Sequence, residues 1–169
     1  GWNMLSNVPS HKNYIKVNQL NVETEVLESL SNNLLLFDTG IKRKSGEILT
    51  KQKNKYKVKK NKNTQELLNL IPEFRNCVVS GNIDDVGKIL NESWKIKRGI
   101  VQGITNNKID SIYDLAIKAG AKGGKLCGAG GGGFLLFYVE DKFKQSVRNR
   151  LQFLKELNFN FDHEGAKLL

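Results

Sequence analysis

Lys125–Val139 reads KLCGAGGGGFLLFYV, a glycine-rich loop that runs directly into an apolar stretch of strand length. Half of the 16 glycines in the chain fall between Gly120 and Gly133. Glycine allows positive φ angles and a close approach to a ligand, so successive backbone N–H groups can converge on a phosphate. The alternative is a tight helix-to-strand turn, but four consecutive glycines cost more backbone entropy than such a turn needs. We therefore interpret Gly128–Gly133 as a phosphate-proximal loop.

The best-known glycine-rich phosphate loops do not fit this context. A dinucleotide-binding GxGxxG needs a strand before the glycines and a helix after them, whereas the pattern here predicts helix 107–120 before the loop and strand 134–139 after it. A Walker A loop needs Gly-Lys-Ser/Thr after the glycines, which is absent. The glycine loop of protein kinases is accompanied by HRD and DFG motifs, and the sequence contains neither.

Hydrophobic periodicity predicts further strands and helices around the loop. Strands are predicted at Tyr14–Leu20, Leu34–Phe37, Phe134–Val139 and Asn158–Phe161. Helices are predicted over 23–31, from Ser45, from an N-cap at Thr64 to Gly81-Asn82, from Asp84 or Asp85, from Asn107 to Gly120, and over 141–157. Pro72 should kink or divide its helix. These elements predict a single α+β domain of two layers, a mostly antiparallel sheet with helices packed on it.

Composition indicates an ordinary globular domain with excess lysine. The chain has 169 residues, 39% of them apolar, and a formal net charge of +10. No apolar run approaches the roughly 20 residues of a membrane helix and no signal segment opens the chain, so we expect a cytoplasmic protein without membrane contact. The lysines of Lys42–Lys62 have a single aromatic residue, Tyr56, among them, which favours a solvated surface over nucleic-acid binding. Cys77, Cys127, His11 and His163 form no CxxC or HxxxH pair, so no metal site is predicted.

Several segments resemble the GHMP kinases, the family of galactokinase, homoserine kinase, mevalonate kinase and phosphomevalonate kinase. KLCGAGGGGF at Lys125–Phe134, preceded by AGAKGG, resembles the third motif of that family. LLFDTGIKR at Leu35–Arg43 resembles a stretch of its heptose 7-phosphate kinase branch. The remaining matches to that branch are Ile48, Leu49, Gln52, Glu92–Trp94 with Lys97, and Ile109–Tyr113.

The resemblance implies that residues 1–169 form a single GHMP kinase C-terminal domain with a ferredoxin-like fold. Enzymes of this family use ATP with Mg²⁺ to phosphorylate a hydroxyl, and the heptose branch acts on the anomeric hydroxyl of D-glycero-D-manno-heptose 7-phosphate. The family's PxxxGLGSSA phosphate loop, the catalytic Asp after it and the first motif are absent from the sequence. We therefore expect no catalytic residue here, an N-terminal kinase domain outside this chain, and no activity of the fragment alone.

The resemblance also selects candidate binding residues. Thr39 and Arg43, whose guanidinium could bind a phosphate in bidentate fashion, are expected at the sugar phosphate together with Lys125. Trp94 is expected in the core and Lys97 on the surface. The residues expected at the nucleotide phosphates are Gly128, Ala129, Gly130, Gly131, Gly132 and Gly133.

Alternative functions stay open at this point. The chain could belong to another GHMP small-molecule kinase, of fucose, galactose or mevalonate type. It could also be a standalone, non-catalytic ligand-binding domain, or a basic nucleic-acid-binding domain. The partners expected from the first interpretation are ATP and a sugar phosphate, and a homodimer is open.

Overall fold

The computed structural model describes residues 2–7, 15–42, 62–100, 102–128 and 130–161. The strands are β1 (Asn3–Asn7), β2 (Ile15–Gln19), β3 (Leu34–Asp38), β4 (Gly123–Leu126), β5 (Phe134–Tyr138) and β6 (Lys155–Leu157). The helices are α1 (Thr24–Asn32), α2 (Lys62–Ser80), α3 (Asp84–Ile100), α4 (Asn107–Lys118) and α5 (Asp141–Arg150). The helix predicted from Ser45 lies outside the described residues, as does most of the Lys42–Lys62 stretch.

The central sheet has the strand order β4-β5-β3-β6, and every pair in it is antiparallel. Along the chain, its elements follow the sequence strand, helices, two strands, helix, strand, which is the βαββαβ arrangement of ferredoxin-like folds. The predicted α+β class and antiparallel sheet are therefore confirmed. β1 and β2 pair with each other in a separate antiparallel hairpin.

One face of the sheet carries the main hydrophobic core. Leu35 and Phe37 of β3 and Leu135 and Phe137 of β5 are buried there, and they alternate with other residues as the period of two in a strand requires. Helices α4 and α5 cover this face with their apolar residues. Trp94 of α3 is fully buried in the same core, which confirms its predicted place.

The ends of α4 agree with the sequence-based prediction. The side chain of Asn106 accepts a hydrogen bond from the Ile109 N–H at 3.0 Å, and so caps the first turn. After the last turn, Gly120 adopts φ +113°, as the left-handed exit from a helix requires.

A strand that the sequence analysis did not predict lies between α4 and the glycine loop. β4 pairs with β5, so the loop joins two antiparallel strands rather than a helix and a strand. The two glycines that open β4 concealed it, because glycine is depleted in strands. Gly123 is required by packing: a Cβ at this position would overlap the Gly87 carbonyl of α3, so helix and strand can meet only without a side chain.

Three other features differ from the prediction: the end of α5 with the closing strand, the effect of Pro72, and the place of Thr64. α5 ends at Arg150 instead of 157, and the closing strand is Lys155–Leu157 instead of 158–161, because pairing with β3 supplies partners for its backbone. Pro72 does not divide α2, since a proline removes only one backbone bond and the packing of α2 on α3 holds both halves. Thr64 lies inside α2 rather than at its N-cap.

No helix of the described ranges is long and apolar enough to span a bilayer.

Candidate functional site

The glycine loop, defined as residues 127–133, connects β4 to β5 at one end of the sheet. Its base is closed by a hydrogen bond from the Cys127 N–H to the Phe134 carbonyl at 2.8 Å. The loop is held from two sides, by the end of β3 and by the segment between α3 and α4. Its shape is therefore determined by tertiary contacts as well as by its own sequence.

The end of β3 holds the last glycine of the loop. The Gly133 carbonyl accepts hydrogen bonds from the Thr39 N–H at 2.9 Å and from the Thr39 hydroxyl at 2.6 Å. The Gly133 N–H in turn donates to the Ile41 carbonyl at 3.2 Å. Thr39 is only 1% exposed, the one buried polar side chain among the residues that the structure describes. Its hydroxyl is thus used to fix the loop.

The segment after α3 holds the middle of the loop. The Gly131 N–H donates to the Ile104 carbonyl at 2.7 Å. Gly130 has φ +108°, and a Cβ there would lie 2.8 Å from the Ile104 Cα, so both conformation and space require glycine. Next to Ile104, the Thr105 hydroxyl donates to Asp110 at 2.8 Å. Asp110 also pairs with Arg98 at 3.1 Å, so α3, α4 and the segment between them support the loop together.

Alternate amides of the loop are left over for a ligand. The N–H groups of Gly131 and Gly133 are used in the anchoring bonds. Those of Gly128, Gly130 and Gly132 have no acceptor within the described residues. Backbone N–H groups without an acceptor in the protein can bind an anion, and groups that are already held in place need no reorganisation when a phosphate arrives.

A cavity of about 490 Å³ lies beside these amides. Its lining comprises Asp38, Gly40, Ile41 and Lys42 at the end of β3, and Cys127, Gly128, Gly130, Gly132, Gly133 and Phe134 of the loop and its base. The amides and the Lys42 ammonium fit an anionic group such as a nucleotide phosphate. Mg²⁺ fits less well here, since no group of three or more His, Cys, Asp or Glu side chains that could hold a metal occurs in the described part of the chain.

The structure brings most of the predicted ligand-binding residues to this end of the sheet. Of the six loop positions proposed for the nucleotide, Gly128, Gly130, Gly132 and Gly133 line the cavity, and Gly131 anchors the loop to Ile104. Thr39 is buried beneath the loop, and Lys125 is half-buried on β4, two residues before the loop begins. Ala129 and Arg43 lie outside the described residues.

Lys97 is the residue at this site that sequence reasoning missed. Instead of lying free on the surface, its ammonium donates to the Gly128 carbonyl at 2.8 Å. Burial lowers the pKa of Lys97, and the nearby charge of Lys125 lowers it further. Because the two partners of this hydrogen bond lie 31 residues apart, no local sequence signal could have identified it.

Cys127 sits between the same two lysines. Burial raises the pKa of its thiol, although the charges of Lys125 and Lys97 act in the opposite direction. The thiol is therefore neutral at physiological pH, which agrees with the expectation that Cys127 is not a nucleophile.

The sequence is similar to known small-molecule kinases. Residues 70–155 match the family model of the GHMP kinases C terminal. The chain is 30% identical over 159 residues to D-glycero-alpha-D-manno-heptose 7-phosphate kinase from Campylobacter jejuni, covering 89% of this chain and 45% of that protein. It is 27% identical over 156 residues to the bifunctional fucokinase/GDP-fucose pyrophosphorylase of Arabidopsis thaliana, covering 90% of this chain and 15% of that protein.

The fold is also shared with a solved structure. A candidate sugar kinase from Campylobacter jejuni superimposes with a TM-score of 0.70 at 24% identity, over 98% of this chain and 46% of that one. The chain thus spans less than half the length of each of these relatives. At this identity the structural match establishes the fold alone.

Proposed function

Because the chain belongs to the GHMP kinases, as a C-terminal domain of that family, we propose that the complete protein is an ATP-dependent sugar-phosphate kinase. The observation that carries this proposal is the glycine loop, which is anchored on both sides and in which the amides of Gly128, Gly130 and Gly132 have no acceptor among the described residues. Pre-positioned N–H groups of this kind stabilise the charge that moves during phosphoryl transfer.

The substrate in this proposal is D-glycero-D-manno-heptose 7-phosphate, phosphorylated on its anomeric hydroxyl. The similarity to the heptose 7-phosphate kinase of Campylobacter jejuni, over 89% of this chain, supports this choice. The proposal includes the cytoplasmic location expected from the sequence.

This chain contributes one wall of the site. The loop amides and Lys42 would hold phosphate oxygens of ATP, and Thr39 would keep the loop in place. Mg²⁺ would supply charge neutralisation on the transferred phosphoryl group. Its ligands and the catalytic Asp are proposed to lie in an N-terminal kinase domain outside this chain. Ala129 remains a predicted contact of the nucleotide, and Arg43 remains a predicted contact of the sugar phosphate.

The direct test is an assay of the complete protein with ATP–Mg²⁺ and D-glycero-D-manno-heptose 7-phosphate. ADP release, coupled to a reporter enzyme, should depend on both substrates. Phosphorus NMR should show a second phosphate at the anomeric carbon of the product. Absence of sugar-dependent ADP release would refute the proposal, and a product phosphorylated at another carbon would refute the assigned hydroxyl.

A second candidate is a kinase that acts on an unphosphorylated sugar such as fucose. The similarity to the plant fucokinase, which covers 90% of this chain, favours it. The same assay separates the two candidates when L-fucose replaces the sugar phosphate. Turnover with L-fucose and none with the sugar phosphate would establish the second.

A further inference from the structure

Two lysines lie together beside the glycine loop, on the side of the Gly128 carbonyl. Lys97 projects from α3 and donates to that carbonyl at 2.8 Å, while Lys125 projects from β4. Their ammonium groups are close enough for the charge of Lys125 to disfavour protonation of Lys97. Two cations that repel each other indicate a site that an anion would complete.

No anion of the described residues neutralises this pair. The salt bridges of the described chain involve neither Lys97 nor Lys125. The neighbouring Cys127 thiol is neutral, since burial raises its pKa. By contrast, Lys88, Lys122, Lys142 and Lys144 each have a carboxylate partner. The pair thus differs from these lysines in being half-buried without a counter-ion.

The pair also borders open space. Lys125 and Ser93 are the two polar residues in the wall of a cavity of about 300 Å³ between α2 and α3, whose other lining residues are apolar. Ser93 and Lys97 are four residues apart on α3 and therefore lie on the same face of that helix. At the other end, Gly128 is exposed, and a Cβ there would meet no atom within 4 Å. Lys125 and Ser93 share one cavity wall, and Lys97 lies beside them at the Gly128 carbonyl, so all three polar groups are on this side of the loop.

We propose that Lys97, Lys125 and Ser93 bind the phosphate group that the sugar substrate already carries, while the loop amides bind the phosphates of the nucleotide. This inference rests on the proposed function. A substrate with its own phosphate brings a second dianion close to the nucleotide phosphates, so it needs cations of its own. The lysine pair offers ammonium groups, and the neighbouring loop offers backbone N–H groups. Two separate sets of donors suit two separate phosphates. Lys97 is then a specificity-determining residue.

Kinetics of the complete protein test this assignment. Lys97→Gln and Lys125→Gln should each raise KM for the sugar 7-phosphate by about tenfold or more, because each removes a charge-assisted hydrogen bond. KM for ATP should stay unchanged in Lys125→Gln, which removes no bond to the loop, and should rise less than KM for the sugar phosphate in Lys97→Gln, which also removes the bond to Gly128. Lys97→Arg should retain most of the affinity for the sugar phosphate. Lys95→Gln is the matched control, since it removes the same charge from an exposed position of the same helix.

Two outcomes would overturn the inference: an unchanged KM for the sugar phosphate in both variants, or a rise confined to KM for ATP. If the wild-type protein shows no kinase activity at all, the proposed function fails by itself. NMR titration of the 169-residue chain with inorganic phosphate then decides about the site. Phosphate-induced chemical-shift changes around Lys97 and Lys125 that persist in Lys95→Gln and vanish in Lys97→Gln support the proposed site. Absence of such changes in the wild-type chain rejects it.

Discussion

At the residue scale, single atoms decide the geometry of the site. The hydroxyl of Thr39 supports the loop from beneath, and Gly132 is tightly enclosed, since a Cβ there would overlap the Ile41 carbonyl. The sequence indicated that both regions matter, but the structure gives Thr39 a different proposed role. We expect Thr39 to position the loop rather than to touch the sugar, because its side chain is buried and its hydroxyl already has a partner.

Thr39→Val should lower the free energy of unfolding by about 1–3 kcal/mol, because it leaves the Gly133 carbonyl without its hydroxyl donor in a buried place. Thr39→Ser keeps the hydroxyl and should lose less. Urea denaturation of the 169-residue chain measures both. In the complete protein, Thr39→Val should also raise KM for ATP, since the loop is less firmly held. Equal stability of the valine and serine variants would contradict the assigned hydrogen bond.

Lys97 should make phosphate binding sensitive to alkaline pH. Its folded-state pKa is lowered, so without a bound phosphate Lys97 loses its proton at a lower pH than an ordinary lysine does. A bound phosphate favours the charged form; affinity should therefore be full below that pKa and fall as pH rises through it. Phosphate titrations across the alkaline range measure the midpoint. Lys97→Arg, which stays charged, should move the loss of affinity to higher pH, and an unchanged profile would exclude Lys97 from the site.

At the element scale, the packing of α3 against β4 places one lysine on each side of the proposed phosphate site. Gly123 permits this contact, because any side chain there would overlap α3 at Gly87. The sequence predicted α3 correctly from its apolar face and its opening aspartates. It could not predict β4, since a strand of glycines and a lysine gains its stability from pairing with β5 and not from its own propensity.

Gly123→Ala should lower the free energy of unfolding by about 1–3 kcal/mol, because the added methyl group forces α3 away from β4. Gly99→Ala is the control. Its Cβ would approach only the side-chain amide of Asn63, at 3.3 Å, and alanine favours a helix. Urea denaturation of both variants gives the comparison. If Gly99→Ala were the more damaging change, the close packing at Gly123 would not be what requires glycine.

Ion pairing also joins three elements at the other end of β4. Lys122 pairs with Glu140, which precedes α5, and with Asp84 at the start of α3 at 3.6 Å. Its hydrogen bond to Glu140 holds the pKa of that carboxyl below its usual value of 4.5. A carboxyl with a lowered folded-state pKa adds stability above its unfolded-state pKa, and this stability is lost as pH falls through the folded-state value.

Glu140→Gln should therefore flatten the acid side of the stability profile. The wild-type chain should lose stability more steeply than the variant as pH falls below about 4.5, the usual pKa of Glu140. Unfolding by urea at a series of pH values measures this difference. Asp141→Asn removes the neighbouring carboxylate, which is 93% exposed, and should change the profile less. Parallel profiles for wild type and Glu140→Gln would exclude a role for the pair.

At the scale of the whole molecule, the described residues supply a supported glycine loop, which we propose as one wall of a kinase site. Its described residues contain no metal-binding cluster, and its sequence has no second phosphate loop. Its β1–β2 hairpin exposes Leu5, Ile15 and Val17, each more than half accessible. Phosphoryl transfer depends on positioning both substrates and neutralising charge, so we expect the proposed kinase to use groups beyond those described here.

The 169-residue chain should accordingly show no measurable sugar-dependent ADP release, whereas the complete protein should turn over. Both are compared in the same coupled assay at equal concentration, with circular dichroism to confirm that the shorter chain is folded. The expectation that this chain contains no catalytic residue would be wrong if the folded 169-residue chain phosphorylated the sugar at the rate of the complete protein.

The amino-acid sequence by itself determined the glycine loop, the strand after it, α3, α4 and the α+β class. These follow from local chemistry: helical spacing, a glycine C-cap, and a run of glycines beside an apolar strand. Only the tertiary structure decided which groups meet at the loop. Thr39 reaches Gly133 across 94 residues and Lys97 reaches Gly128 across 31. Contacts at such separations depend on how the sheet and α3 pack, and packing forms between elements that local sequence patterns describe only one at a time.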